Sequence, residues 1–261
     1  MARKTLIFIP TYNERANVEP MCGQIVGLGL DADLLFVDDG SPDGTGEVLD
    51  ELAARHRRVR VIHRAGKSGI GSAHLDGISL AYAEGYRRLV TLDCDFTHSP
   101  SLIPVFLERG LSADVVVGSR YLTKNSLPGW SLVRKLLTSL GHVLTRILLG
   151  ISQDATGAFR AYDLDKIPRE LFDLVRSRGY GFFFESLLIL LRNGHSIAEV
   201  PIALPARSAG HSKMTFQEIE RSLRTLAVLF IQDRQDPQRF RLQTSAPMDT
   251  KVASSEATGR R

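Results

Sequence analysis

Thr5-Leu6-Ile7-Phe8-Ile9 runs straight into Pro10-Thr11-Tyr12-Asn13-Glu14. A short apolar run rich in β-branched residues, broken by proline and followed by polar residues, reads as a buried strand with a loop at its carboxyl end. Working outward, Leu34–Val37, Val59–Ile62, Leu89–Leu92 and Val115–Val117 repeat the pattern, each bounded by Gly, Pro, Ser or Asp. Helical patterns fall between them at 17–28, 43–56, 70–85 and 100–109. Alternation of this kind predicts an α/β fold, a mostly parallel Rossmann-like sheet flanked by helices, with right-handed crossovers.

After Gly118 the rhythm changes. The spacing predicts a long helix over 131–149, with Val133, Leu136, Leu137, Leu140, Leu144, Ile147 and Leu148 on one face and Lys135, His142 and Arg146 opposite. Helices are also expected over 180–192 and over 215–231, the latter with Phe216, Ile219, Leu223, Leu226 and Phe230 along one stripe. Ile197–Leu204, with Pro201 and Pro205 at hand, reads as an edge strand or its approach. From Gln235 the chain turns polar and aperiodic, so the sequence divides into one domain over 1–234 and a disordered tail over 235–261.

Composition narrows the function. The 261 residues carry a net charge of +4, too small to point to nucleic acid. Two cysteines, Cys22 and Cys94, exclude a disulfide scaffold or a cysteine-rich zinc site. No signal peptide and no apolar run of membrane-spanning length is visible, so a cytoplasmic protein is expected. Ala65-Gly66-Lys67-Ser68 lacks the upstream glycine of a phosphate-binding loop, since position 61 is Val61. Gly69-Ile70-Gly71 lacks the third glycine of a dinucleotide fingerprint, since His74 stands there. These glycines read as a tight turn before a helix.

The carboxylates are more informative. The second strand ends in Asp38-Asp39-Gly40-Ser41-Pro42-Asp43-Gly44 and the fourth in Asp93-Cys94-Asp95. Open α/β sheets bind ligands outside the carboxyl ends of their strands. Ser41 and Asp43 read equally well as turn and cap residues. Asp93 and Asp95 flank a single residue and can face a common oxygen-liganded Mg²⁺ or Mn²⁺ that also holds a diphosphate. Asp95 is expected to face solvent.

Pro10-Thr11-Tyr12-Asn13-Glu14, Val37-Asp38-Asp39-Gly40-Ser41-Pro42-Asp43-Gly44-Thr45 and Asp93-Cys94-Asp95 together resemble glycosyltransferase family 2, and more closely its dolichol-phosphate mannose synthase-like, polyprenyl-phosphate group. Gly118-Ser119-Arg120-Tyr121, Thr156-Gly157-Ala158-Phe159-Arg160, Gly181-Phe182-Phe183-Phe184-Glu185 and Glu199-Val200-Pro201-Ile202 follow in order, then Arg207 and Gly210-His211-Ser212-Lys213. The resemblance implies a GT-A fold and metal-dependent, inverting transfer of a hexose, with GDP-mannose the favoured donor and a polyprenyl monophosphate the acceptor. It implies donor contacts from Pro10, Tyr12, Glu14, Val37, Asp39, Lys67, Asp93, Cys94, Arg207 and Lys213. The metal would sit on Asp93 and Asp95, and Asp95 and Arg120 would carry catalysis. Some relatives place Gln two residues beyond the second aspartate as a further metal ligand; here Thr97 stands there.

Arg120 and Arg134 are assigned to the acceptor phosphate, which suits the bidentate reach of guanidinium. A phosphate monoester loses its second proton near pH 6, so this nucleophile needs no strong base. The helix at 131–149 reads either as packed on the sheet or as lying in the bilayer interface with Lys135, His142 and Arg146 toward headgroups. A membrane subunit would be the other route to a lipid. UDP-glucose is an alternative donor, and a catalytically inactive sugar-nucleotide-binding protein is a further alternative. Asp93 and Asp95 also fit the first motif of haloacid-dehalogenase-type phosphatases, whose later acidic pair would fall to Asp163 and Asp165, neither following a clear strand in the sequence.

Overall fold

A computed structural model of the chain describes residues 5–205 and 216–243. The strands are β1 (Thr5–Thr11), β2 (Ala32–Asp38), β3 (Val59–His63), β4 (Arg88–Thr91), β5 (Val115–Ser119), β6 (Arg160–Asp163) and β7 (Ile197–Pro201). They form one sheet in the order β3-β2-β1-β4-β6-β5-β7. All neighbouring pairs are parallel except those of β6, which runs against both β4 and β5. The helices are α1 (Arg15–Gly27), α2 (Thr45–Arg55), α3 (Ile70–Ala83), α4 (Ile103–Arg109), α5 (Leu132–Leu149), α6 (Glu170–Asp173), α7 (Gly181–Arg192) and α8 (Phe216–Gln235).

The two-residue period of β1 divides the core. Leu6 and Phe8 pack with Ile78 and Ala81 of α3 and Phe182 of α7 on one face. Ile7 and Ile9 pack with Val18 and Met21 of α1, Leu49 of α2 and Phe106 of α4 on the other. Burying apolar side chains on both faces accounts for the near-continuous hydrophobic strands. The glycines before α3 make close contacts. Gly69 sits at φ +96°, and a Cβ on Gly71 would stand 2.6 Å from the Phe182 Cβ, so the backbone of α3 lies directly against α7.

Three sequence expectations change. First, no strand is expected before Asp163, yet β6 forms there and Asp163 ends it. Because β6 is reversed, Arg160 pairs with Thr91 near the carboxyl end of β4, while Asp163 pairs with Arg88 at the opposite end. Asp163 and Asp165 therefore lie at the wrong end of the sheet to share a metal with Asp93 and Asp95. Second, the chain continues in order beyond 234: Pro237–Phe240 forms a 3₁₀ turn, Phe240 is buried, and Asn193 bonds the Phe240 carbonyl and the Leu242 N–H. The polar stretch hides one aromatic anchor; residues 244–261 lie outside the described residues. Third, the edge strand β7 ends at Pro201, short of 204.

Helix α5 forms where expected, capped by Ser131, which accepts the Arg134 N–H, and closed by Gly150 at φ +70°. Most of its apolar stripe faces outward, while Leu144 and Leu148 are partly buried against the core. Leu132, Leu136 and Ile147 are 83%, 70% and 69% exposed, and Val133, Leu137, Leu140 and Val143 are exposed too. The residues α5 fully buries are Thr145 and Leu149. His142, expected on the outer, headgroup side, instead stacks on Tyr121. Helix α8 packs beside α5; Leu226 and Leu229 are buried, while Leu223, Val228 and Ile231 are exposed.

Candidate active site

The strand order reverses direction between β1 and β4, and such a switch point opens a crevice at the carboxyl ends of the strands. Pro10 and Val37 are paired neighbours at the ends of β1 and β2, and the Asp39 N–H bonds the Thr11 carbonyl at 3.0 Å. Tyr12, Glu14, Val37 and Asp39 are thus brought to one mouth by ordinary parallel pairing.

The carboxylates in this mouth have different tasks. Asp38 is buried and accepts the Ser41 N–H and hydroxyl at 2.9 and 2.5 Å, with the Thr11 hydroxyl at 3.2 Å, so it builds the turn. Asp43 accepts the Thr45 N–H and hydroxyl and the Arg15 N–H, anchoring the starts of α1 and α2 together. Burial pushes the Asp43 carboxyl up, but these bonds outweigh it and hold the pKa below the ordinary value. Glu14 opens α1, is buried, and accepts the Asn17 amide at 2.6 Å. Gly40, at φ +69°, allows the second turn to touch the 64–66 loop, where a Cβ would stand 3.2 Å from the Gly66 Cα.

Asp39 is bound from that loop. Arg64 donates to Asp39 at 2.7 Å and to the Ser72 hydroxyl at 2.7 Å. Burial raises the Asp39 pKa against the opposing pull of the Arg64 charge. Lys67 from the same loop lies over the Tyr12 ring, 5.0 Å from its centroid. Two residues expected at the donor, Lys67 and Tyr12, therefore meet, and a third, Asp39, is held by Arg64, a residue whose place after β3 gave no sequence signal.

At the end of β4, Asp93 is partly exposed and its N–H donates to His98 Nδ1 at 3.1 Å. Asp95 is 2% exposed, so the expectation that it faces solvent is corrected. Its Oδ1 accepts the Thr97 N–H at 3.1 Å and the Thr97 hydroxyl at 2.6 Å, and Phe96 between them takes φ +59°. A bulky residue at positive φ is strained, and this one directly follows Asp95 of the Asp-x-Asp motif. Cys94 is buried, consistent with a backbone contribution. Among the described residues no group of three or more His, Cys, Asp or Glu side chains could hold a metal ion. Two carboxylates fit the way Mg²⁺ or Mn²⁺ is held when a diphosphate completes the shell. Thr97 is oriented onto Asp95 by its hydroxyl.

The 119–160 stretch adds a buried ion pair. Arg120 and Asp154 are both buried, and the guanidinium meets the carboxylate through two bonds, Nε at 2.8 Å and Nη2 at 2.6 Å. The Arg120 N–H adds a third at 3.1 Å, and Nη2 also donates to the Thr156 hydroxyl. Glu199 on β7 accepts the Asp154 N–H at 3.0 Å. Burial alone would push the Asp154 pKa up, yet the Arg120 charge and hydrogen bonds hold it below the ordinary value. Arg160 is wholly buried and donates to the carbonyls of Ala155, Gly157 and Phe183, fastening the loop that carries Asp154. Arg134 lies 3.7 Å from the centroid of the Trp130 ring at the start of α5. Arg207 and Lys213 lie outside the described residues.

Residues 6–168 match the family described as glycosyl transferase family 2. The polyprenol monophosphomannose synthase of Mycolicibacterium smegmatis is 37% identical over 240 residues, covering 91% of each chain. The undecaprenyl-phosphate mannosyltransferase of Micrococcus luteus is 38% identical over 213 residues, 81% of this chain and 88% of that one. In fold, glucosyl-3-phosphoglycerate synthase from Mycobacterium tuberculosis, solved with Mn²⁺, uridine diphosphate and phosphoglyceric acid, superposes with a TM-score of 0.63 at 22% identity, over 90% of this chain and 79% of that one. The chain belongs to glycosyl transferase family 2, has the GT-A fold, and is a hexosyltransferase.

Proposed function

We propose that this family 2 glycosyltransferase moves a hexose, mannose first, from a nucleotide sugar to a polyprenyl monophosphate with inversion at the sugar carbon. What carries the reading is one combination: carboxylates gathered at the carboxyl ends of β1, β2 and β4 about the switch point, and, after β5, a helix most of whose apolar residues are exposed. Both curated relatives are named for mannosyl transfer to polyprenyl carriers, which supports mannose and the lipid. GDP-mannose is the donor we favour, on the family resemblance.

In this scheme Pro10, Tyr12, Glu14, Val37 and Asp39 hold the nucleoside, with Lys67 beside Tyr12. Asp93, the Cys94 backbone and Asp95 address the diphosphate and a Mg²⁺ or Mn²⁺ ion, with Arg207 and Lys213 adding charge. The ion, when bound, neutralises charge on the leaving diphosphate. Arg120 and Arg134 take the acceptor phosphate, which is already anionic at neutral pH and attacks in line without a general base. Catalysis rests on alignment and on stabilising the leaving group.

The outer face of α5 supplies the route to a lipid. No helix among the described residues is long and apolar enough to cross a membrane. An exposed row of leucines, with Arg146 exposed near its end, suits a helix lying in the interface on the cytoplasmic side.

The deciding experiment is a screen of nucleotide sugars against polyprenyl phosphate in vesicles, with Mg²⁺, with Mn²⁺ and with EDTA. GDP-mannose is expected to give the product and EDTA to abolish it. Transfer from UDP-glucose alone would replace the donor assignment, and no transfer from any nucleotide sugar would remove the acceptor.

A second expectation concerns α5. Burying one leucine side chain is worth roughly 1.5–3 kcal/mol, so Leu136→Glu should weaken partitioning onto anionic vesicles roughly ten- to a hundredfold. Nucleotide binding by calorimetry should not change. Undiminished vesicle binding in this variant would mean that α5 does not touch the bilayer.

A further inference from the structure

We propose that Tyr121 and His142 form a joint through which α5 positions Arg120, so that the seating of this helix sets the acceptor-side guanidinium. The proposal deepens the reading given above and rests on it for the role of Arg120. The rings of Tyr121 and His142 are stacked, with centroids 3.9 Å apart and planes 14° from parallel. The Tyr121 hydroxyl donates to the Thr138 carbonyl at 3.0 Å. Thr138 lies one helical turn before His142, so a single side chain from the segment after β5 holds two successive turns of α5.

Tyr121 is the next residue after Arg120, and the guanidinium carbon of Arg120 lies 5.7 Å from the Tyr121 ring centroid. On its other side Arg120 is fixed, main chain and side chain alike, to Asp154. The fully buried residues of α5, Thr145 and Leu149, lie in its last two turns. A shift of the preceding turns is therefore transmitted through Tyr121 to the residue beside it.

The histidine serves this joint as a flat surface. Its Nδ1 is shielded from solvent and makes no hydrogen bond among the described residues. Burial holds the imidazole pKa below its ordinary value and pushes the Tyr121 hydroxyl up to about 12. Both rings are neutral at neutral pH, which suits stacking. An aromatic hydrocarbon in place of the imidazole should then preserve the joint.

The test compares His142→Ala, which removes the ring, with His142→Phe, which keeps one. The readouts are the apparent acceptor KM with polyprenyl phosphate in vesicles, kcat, GDP-mannose affinity by calorimetry, and amide hydrogen exchange at Arg120 and Tyr121 in the protein alone. His142→Ala should raise the acceptor KM roughly three- to tenfold, leave kcat and donor affinity within about twofold, and speed exchange at both amides. His142→Phe should restore the acceptor KM and the exchange at both amides. Unchanged exchange and KM in His142→Ala would overturn the joint, as would a His142→Phe variant as impaired as the alanine one. If the wild-type protein transfers nothing to polyprenyl phosphate, the functional reading fails, and the exchange comparison still decides the joint by itself.

Discussion

Asp95→Asn should abolish metal-dependent transfer while the protein unfolds at the wild-type temperature. The side chain has two duties. As an acceptor, Oδ1 holds the Thr97 N–H and hydroxyl and closes the turn around Phe96. As a charge, on the function proposed above, the carboxylate would balance a cation at the diphosphate. Asparagine keeps the first duty and loses the second. Removing one preorganised electrostatic contact to a developing anion costs about 10²–10³ in kcat, and losing the metal as well should exceed that. Asp95→Ala should lose the same activity and some stability in addition, because the turn loses its acceptor. The comparison needs turnover with saturating GDP-mannose and Mg²⁺ or Mn²⁺, alongside thermal unfolding of each variant. Near-wild-type turnover in Asp95→Asn, with EDTA also harmless, would take this charge out of the mechanism.

Asp154→Ala should destabilise the fold by about 3–5 kcal/mol, the usual consequence of leaving a buried charge without its partner. Arg120 would keep its buried position and lose its counter-charge. Replacing both partners by apolar residues, Arg120→Met with Asp154→Leu, should recover much of that stability and none of the transfer. Urea unfolding of the single and double variants measures both terms, and a loss below about 1 kcal/mol in Asp154→Ala would show the pair to be solvated like a surface bridge. The pH dependence follows from the lowered carboxyl pKa. The native group titrates below its ordinary value of 3.8, so its stabilisation is complete above that value and disappears as pH falls through the lower native pKa. Asp154→Ala should flatten the acid limb of the wild-type stability curve.

The strands β1 to β5 were legible because each is an apolar run bounded by turn residues, and their carboxyl ends led directly to Asp39, Asp93 and Asp95. β6 was hidden because Arg160-Ala161-Tyr162-Asp163 is four residues long with a charge at each end. Its arginine is wholly buried, and only three-dimensional contacts with carbonyls make that affordable. Asp154 was missed for a related reason: an isolated aspartate in a loop has no pattern, and its partner Arg120 lies 34 positions away in the chain. The amphipathic period of α5 was correctly visible, yet a period says only that two faces differ. Which face meets the body shows only in the three-dimensional contacts, among them those of the Tyr121 ring and hydroxyl with His142 and Thr138.

The reversal of β6 has a consequence for how this enzyme could be re-engineered. In a wholly parallel sheet, the chain leaving β5 would have to travel to the far end before entering its neighbour. Here Val117 of β5 pairs directly with Arg160 of β6. Everything between them, including Arg120, Tyr121, α5 and Asp154, is therefore one long hairpin connection that starts and finishes at the mouth of the crevice. Such an excursion can be exchanged between relatives as a cassette, cut at two adjacent paired residues, with every strand pairing of the donor half left in place. On the proposed assignment of Arg120 and Arg134, the acceptor side would then be graftable separately from strands β1 to β4.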